Sequence, residues 1–185
     1  MTTVHFYADF ICPFCYAAES KVLPRIREAG HEVLWLPYEL HPETPSEGRP
    51  FQRRNSGRLW ASMRRVASDW ELPIARKAPH TFPNTHRTLL AALAAQNAGK
   101  LETFRQAAYT AYWVQGEHIG STEVLTSLLP NSLWNDPRWE TRLQEIRDEA
   151  QMLCVLAAPA FVIGDRVLHG LHEWDVIERF LKQPI

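Results

Sequence analysis

The sequence has 185 residues, 45% of them hydrophobic and 22% charged, which is ordinary for one globular domain or for a domain with an insertion. A formal net charge of −1 argues against a nucleic-acid-binding protein, and no apolar run reaches the length of a membrane span. Because the chain starts directly with a strand-like segment and not with a basic and apolar leader, we expect a cytoplasmic protein without nucleic-acid or membrane partners.

The N-terminal segment alternates strand and helix signals. The apolar run 4–8 predicts a buried strand, and a helix is predicted from Pro13 to Gly30. A second strand is predicted at 33–36, with Pro37 placing its far end at a sheet edge. Short connections between these elements predict a right-handed parallel βαβ unit.

Two cysteines, Cys12 and Cys15, flank Pro13 and Phe14 at the predicted helix start. The unpaired N–H groups and partial positive charge of a helix start favour a thiolate there, so we expect Cys12 to be the attacking sulfur. Cys15 follows one helical turn later, on the same side and within disulfide reach. Pro13 suits the first helical position because its missing N–H is not needed there.

A zinc half-site and an incidental cysteine pair are the other interpretations of this motif. Zinc usually takes four Cys or His ligands, whereas Cys154 is the one further cysteine and a second CxxC is absent from the sequence. A CxxC beside a βαβ pattern is typical of redox chemistry, particularly where the compartment keeps other thiols reduced. We therefore expect a redox pair and no metal.

The rest of the chain divides into a helical block and a second strand region. Apolar residues recur with a helical period from about 51 to 153. After Pro159, the segments 161–163 and 166–168 enclose Gly164 and Asp165, which predicts a β-hairpin before a closing helix. The order predicts an α/β protein with a thioredoxin-like fold (βαβ…ββα) and an inserted α-helical domain. We expect a discontinuous thioredoxin-like domain at 1–48 and 154–185, and the helical insertion at 49–153.

With these motifs in place, the chain resembles the DsbA family, in particular its cytosolic FrnE-like branch. The matching segments lie at the cysteine motif, after the second strand, at a helix start, in a later helix and around Pro159; they are Asp9–Tyr16, Tyr38–Pro42, Asn84–Arg87, Tyr109–Ile119 and Ala158–Ile163. Together they span nearly the whole chain.

The resemblance implies a dithiol–disulfide oxidoreductase in which Cys12 is the nucleophile and Cys15 the resolving thiol. Pro159 would be a cis-proline facing the pair, leaving the backbone of Ala158 free to pair with an extended substrate. The substrate would be a protein or small molecule with a disulfide or thiol. Beyond the redox-active disulfide no tightly bound cofactor is implied, although glutathione is a possible ligand, and the oligomeric state stays open.

Other residues are weaker candidates for the site. Asp9 is either a proton acceptor for Cys15 or a turn cap. His41 and Asn84 either line a groove between the two parts of the fold or serve as loop and cap residues. Phe14 and Tyr16 would form an apolar substrate rim, and Pro13 is a further substrate-binding candidate. A Phe in place of the His of strongly oxidising relatives predicts a less extreme potential.

The sequence departs from the family before Pro159. The family usually has glycines there, in a Gly-Val-x-Gly-x-Pro pattern, whereas this chain has Cys154 where a glycine is common. We expect Cys154 to be a buried, inert thiol.

The architecture also resembles 2-hydroxychromene-2-carboxylate isomerases and kappa-class glutathione transferases, which have Ser at the position of Cys12 and use glutathione. A glutathione-dependent isomerase or transferase is therefore the alternative function. A non-catalytic binding protein is a third possibility, against which the intact cysteine pair argues.

Overall fold

The structure, a computed structural model, describes residues 1–51 and 53–183, and of residues 53–57 and 59 it describes the backbone alone. Residues 52, 184 and 185, which the predicted domain ranges include, lie outside that description. The strands are β1 (Thr3–Ala8), β2 (Glu32–Pro37), β3 (Arg49–Pro50), β4 (Thr81–Phe82), β5 (Ala160–Ile163) and β6 (Arg166–His169).

Strands from both ends of the chain form one mixed sheet in the order β2-β1-β5-β6. β1 pairs in parallel with β2, from Thr3 opposite Glu32 onward, and antiparallel with β5, where Tyr7 lies opposite Ala160. β5 and β6 form the predicted hairpin, and Gly164 in its two-residue turn has a φ of +62°. β2 lies at the sheet edge, where Pro37 removes no ladder donor.

The helices lie mainly between the two strand regions. Their bounds are α1 (Pro13–Ala17), α2 (Leu23–Glu28), α3 (Arg53–Asp69), α4 (His86–Asn97), α5 (Leu101–Tyr109), α6 (Thr122–Leu128), α7 (Asn131–Trp134), α8 (Arg138–Met152) and α9 (Trp174–Lys182). Among the described residues, no helix is long and apolar enough to cross a membrane.

The first predicted helix is continuous from Pro13 to Glu28 but contains a π-helical segment, Ala18–Val22, between α1 and α2. The reason lies in Pro24, which has no N–H to donate to the carbonyl four residues back. The preceding turn widens, and the N–H of Leu23 donates to the carbonyl of Ala18. The apolar period predicts the helix but not this widening.

The core has its densest packing around β1 and α4. In β1, Val4, Phe6 and Tyr7 are fully buried, because a central strand is covered on both faces. Every residue of α4 from Thr88 to Ala95 is buried, which matches its Ala- and Leu-rich, nearly non-amphipathic sequence. The sheet and this helix together hold the end of β1, where the cysteine motif begins.

Candidate active site

The two cysteines lie at the start of α1, directly after the turn that follows β1. Cys12 is the N-cap residue, and the backbone N–H of Cys15 donates to its Sγ over 3.4 Å. Both thiols are free, with Cys12 5% exposed and Cys15 fully buried. A thiolate at Cys12 would accept this hydrogen bond and would lie at the positive end of the helix. The geometry therefore favours Cys12 as the sulfur that meets a substrate.

The loop before β5 lies against Cys12. The Ala158–Pro159 peptide bond is cis, and the thiol of Cys12 donates to the carbonyl of Ala158 over 3.5 Å. The N–H of Gly170 donates to the carbonyl of Pro159 over 2.7 Å, which ties this loop to the end of β6. Because β5 pairs directly with β1, the sheet itself brings a residue 146 positions away to the cysteine motif.

Cys15 lies in a buried environment that opposes its ionisation. Burial raises the pKa of Cys15 well above its ordinary value, the neighbouring Cys12 thiol raises it further, and so does the charge of Asp9. A backbone hydrogen bond from Asp9 acts in the other direction. Cys15 therefore stays protonated until a nearby group accepts its proton.

Asp9 is fully buried and suited to accept that proton. Its Oδ2 accepts hydrogen bonds from the N–H of Leu40 at 2.9 Å and from the hydroxyl of Thr85 at 3.1 Å. Its Oδ1 has no hydrogen-bond partner among the described residues. Burial raises the pKa of Asp9 to about 6, and the hydrogen bonds only partly offset this. The carboxyl thus changes its protonation state near neutral pH, close enough to Cys15 for its charge to raise the pKa of that thiol.

A groove of about 630 Å³ opens beside the cysteine motif. The C-terminal turn of α3, the loop of Ala158 and the segment between β6 and α9 enclose it. Its apolar lining is Phe14, Val66, Trp70, Ala158, Pro159, Leu171 and Val176, and its polar lining includes Asp69, His172, Glu173 and Asp175. Phe14 is 45% exposed, so an apolar ring stands at the mouth of the groove next to the thiol.

Of the predicted site residues, Phe14, Ala158 and Pro159 line this groove. Asn84 donates to the carbonyl of Thr44 over 2.6 Å and accepts from the N–H of His86 at the start of α4. It lines a separate depression. Asn84 therefore lies outside this groove with the contacts of a cap, and its role in substrate binding stays a prediction.

His41 also lies outside the groove. Its Nδ1 is 3.0 Å from Oε1 of Glu43, and its ring contacts Phe82 edge-on at 5.3 Å. These contacts belong to the loop between β2 and β3, and the role predicted for His41 in substrate binding stays a prediction. Pro13 occupies the first position of α1 and is not part of the groove lining.

Cys154 is exposed, which corrects the prediction of a buried thiol. It follows α8 with a φ of +55°, its N–H donates to the carbonyl of Gln151, and the N–H of Val155 donates to that of Ala150. This is a Schellman motif, in which the left-handed position is usually a glycine. The same geometry explains why glycine is common at this position.

Sequence reasoning missed the groups that hold the motif in place. Tyr16, which the sequence predicted at the substrate rim, is buried and lies outside the groove lining. It stacks between Tyr109 and Trp113, with ring centroids 5.4 and 5.8 Å apart, and Trp113 stacks on Trp60 at 5.7 Å. We call these four rings the aromatic column. The indole N–H of Trp113 donates to the carbonyl of Phe10, directly before the cysteines. Helical stripes indicated buried rings here, but not which rings would stack.

Comparison with known proteins finds a family model and relatives that cover nearly the whole chain. A family model described as the DSBA-like thioredoxin domain matches residues 3–182. The 2-hydroxychromene-2-carboxylate isomerase of Sphingobium xenophagum is 26% identical over 194 residues, covering 97% of each chain.

Solved structures share the fold. The probable DsbA oxidoreductase SCO1869 from Streptomyces coelicolor matches with a TM-score of 0.84 at 18% identity, covering 100% of this chain and 93% of its own. The cytosolic disulfide reductase DsbM from Pseudomonas aeruginosa, solved with GSH, matches with a TM-score of 0.67 at 19% identity, covering 98% and 93%. The predicted thioredoxin-like fold with a helical insertion is confirmed.

Proposed function

The chain belongs to the DSBA-like thioredoxin domain family, and from that membership we propose that it is a thiol–disulfide oxidoreductase acting on protein or small-molecule disulfides. The observation that carries the proposal is the placement of the two thiols. Cys12 faces the Ala158 carbonyl at the groove, while Cys15 lies buried behind it beside Asp9. This arrangement separates an attacking thiol from a resolving one.

In this proposal, thiol–disulfide exchange takes two steps. The Cys12 thiolate attacks one sulfur of a substrate disulfide, forming a mixed disulfide and releasing the other substrate sulfur as a thiolate. Cys15 then passes its proton to Asp9 and attacks Cys12, which releases the second substrate thiolate and leaves a Cys12–Cys15 disulfide. The substrate gains two electrons that the protein dithiol loses, and the reverse sequence donates a disulfide to a substrate dithiol. The reduction potentials of the two couples set the direction.

The test separates the roles of the two cysteines. In a Cys154→Ser background, which removes the exposed thiol, Cys15→Ser should accumulate a covalent adduct on Cys12 with glutathione or a substrate thiol, visible by intact mass. Cys12→Ser should abolish exchange with insulin or glutathione disulfide. The Cys154→Ser protein itself should keep full exchange and serves as the control.

A glutathione-dependent isomerase is the second candidate, because an isomerase is among the relatives of this chain. That chemistry needs one polar atom at position 12 and none at position 15. If Cys15→Ser keeps full turnover without an adduct, the oxidoreductase proposal is wrong. Isomerisation of an aromatic substrate with glutathione by the Cys12→Ser protein would then establish the isomerase instead.

Our proposal includes a cytoplasmic location and no tightly bound cofactor besides the cysteine pair. The cysteine pair would then work against the reduced glutathione and thioredoxin pools. A redox titration of the pair against glutathione gives its potential. A value above that of the glutathione pool would indicate an oxidant, and a value below it a reductant.

A further inference from the structure

The Asp and Glu side chains that line the groove beside Cys12 give it a negative charge. Three carboxylates, Asp69, Glu173 and Asp175, stand exposed along its rim, and its described lining contains no Lys or Arg. Asp175 pairs with Arg179 at 3.1 Å. Among the described side chains, Asp69 and Glu173 take part in no salt bridge. Two carboxylates of the groove thus have no ion-pair partner among the described side chains.

The adjoining depression does not supply the missing cations. It shares Asp69 and Glu173 with the groove and contains Lys21 and Arg25. Lys21 pairs with Glu71 at 3.6 Å, and the guanidinium of Arg25 lies over the Trp174 ring at 4.4 Å. Among the described side chains, neither cation forms a salt bridge with Asp69 or Glu173, so the carboxylates of the rim next to the cysteine motif remain available to a basic ligand.

The floor of the groove is apolar. Phe14 and Pro159 border the thiol, and Val66, Trp70, Leu171 and Val176 extend the surface away from it. A volume of about 630 Å³ lies within the range of small-molecule sites, so it admits a few amino-acid residues or a glutathione molecule alike. Since the volume fits both ligands, they differ in how well their charge matches the acidic rim.

We propose that this groove selects cysteine-containing polypeptides with apolar and basic residues next to the cysteine, and disfavours glutathione. The inference rests on the proposed oxidoreductase function and names its substrate class. Apolar side chains would cover the floor, and a Lys or Arg would approach Asp69 and Glu173. Glutathione carries two carboxylates and one ammonium group, so its net negative charge meets a rim of the same sign.

The test compares three probes, each with one cysteine in a mixed disulfide with 2-thiopyridine. They are acetyl-Lys-Leu-Cys-Leu-Lys-amide, acetyl-Glu-Leu-Cys-Leu-Glu-amide and glutathione. Cys12 attacks the peptide sulfur and releases 2-thiopyridone, and Cys15 then closes the protein disulfide and releases the peptide thiol. Protein dithiol and probe disulfide thus exchange two electrons. The reduced Cys154→Ser protein is used, and each rate is divided by the rate of the same probe with dithiothreitol.

We expect the Lys probe to react about fivefold faster than the Glu probe and than glutathione, which is the size of effect that exposed ion pairs provide. The preference should shrink towards unity between about 0.1 M and about 1 M salt, as the Debye length falls from about 10 Å to about 3 Å. Asp69→Asn with Glu173→Gln should abolish it. Glu123→Gln, which changes an exposed carboxylate on α6 outside the groove, should leave it unchanged.

The outcomes are distinct. Equal normalised rates for the three probes would overturn the substrate class while leaving the oxidoreductase function intact. A Lys preference that survives the double variant, or that Glu123→Gln removes equally, would assign it to overall charge and also overturn the inference. If none of the probes reacts at Cys12, the proposed function is wrong, and so is this inference, which rests on it.

Discussion

Asp9 is a fully buried carboxyl, and its ionisation lowers the free energy of unfolding. It lies beneath the cysteine motif with two hydrogen bonds on one oxygen and none from described residues on the other. Its pKa of about 6 is raised mainly by burial. Ionising it at neutral pH therefore costs free energy that an apolar or amide side chain would not cost.

Asp9→Asn should stabilise the protein at pH 8 and slow the resolving step. A carboxyl with a raised folded pKa contributes most to stability below its unfolded pKa of 3.8, and this contribution is lost as the pH rises through about 6. The loss amounts to about 3 kcal/mol at most. Urea unfolding should show a gain for the variant that is about twice as large at pH 8 as at pH 5.

In the mechanism we propose, the same variant lacks the proton acceptor for Cys15. Release of a mixed disulfide from Cys12 should slow by about 10²-fold or more, with the pH dependence near 6 removed. Stopped-flow release of a fluorescent thiol measures this step. Asp148→Asn, an exposed acid-to-amide change, is the matched control. An Asp9→Asn protein that resolves mixed disulfides at the wild-type rate would restrict Asp9 to its capping contacts.

At the scale of secondary structure, the turn before α6 packs closely against the start of α4. Gly120, in the turn before α6, approaches the carbonyl of Asn84 so closely that an added Cβ would overlap it. The hydroxyl of Thr88 donates to the carbonyl of Ile119 over 2.9 Å and fastens the same turn to α4. Asn84 precedes Thr85, which holds Asp9, so this contact reaches the site.

Gly120→Ala should destabilise the protein by about 1–3 kcal/mol, as overpacking against an immobile group does. The backbone at Gly120 lacks a positive φ, so the loss would come from the contact and not from backbone strain. Thermal unfolding measures it. Glu117→Ala, at an exposed position of the same loop, is the control and should be near neutral. An unchanged thermal unfolding midpoint for Gly120→Ala would show that the turn can move away from α4 without loss of stability.

The aromatic column explains how the helices support the motif. Trp60 of α3, Trp113 of the π-helical segment Thr110–Gln115, and Tyr16 of α1 come from distant parts of the chain but stack face to face. Each ring buries a large area, and the hydrogen bond from Trp113 to the Phe10 carbonyl orients the column. The helical block thereby fixes the backbone that carries Cys12.

Across the molecule as a whole, buried acids shift the pH of maximal stability. Burial raises the pKa of Glu19 to about 7 despite its ion pair with Arg105, and hydrogen bonding to Glu39 is the main cause that raises the pKa of His86. With Asp9, all three groups bind protons more tightly in the folded state. Their contributions are present below the unfolded pKa values and are lost as the pH rises through the folded ones.

We therefore expect the free energy of unfolding to fall between about pH 5 and pH 8, where many proteins have their maximum. Urea denaturation across this range measures it. Asp9→Asn and Glu19→Gln should each flatten the slope, because each removes one proton that the folded state retains. A free energy of unfolding that rises from pH 5 to pH 8 would contradict the assignment of these buried carboxyls.

Elements whose signals are local could be predicted from the amino-acid sequence alone. The apolar run before Cys12, the helix start at Pro13 and the Gly164–Asp165 hairpin are confirmed, since periodicity, capping and turn chemistry act over a few residues. The order of those elements, with the CxxC after the first strand, was enough to predict the thioredoxin-like fold.

The environment of the cysteines, in contrast, depends on contacts between segments far apart in the chain. The contact of Cys12 with Ala158 spans 146 positions, and the burial of Asp9 depends on Leu40 and Thr85 from separate elements. Neither contact leaves a trace in local patterning, which is also why the sequence could not place His41 and Asn84 relative to the groove beside Cys12. Packing between distant segments sets which side chains meet, and that packing placed the acidic rim beside the thiol.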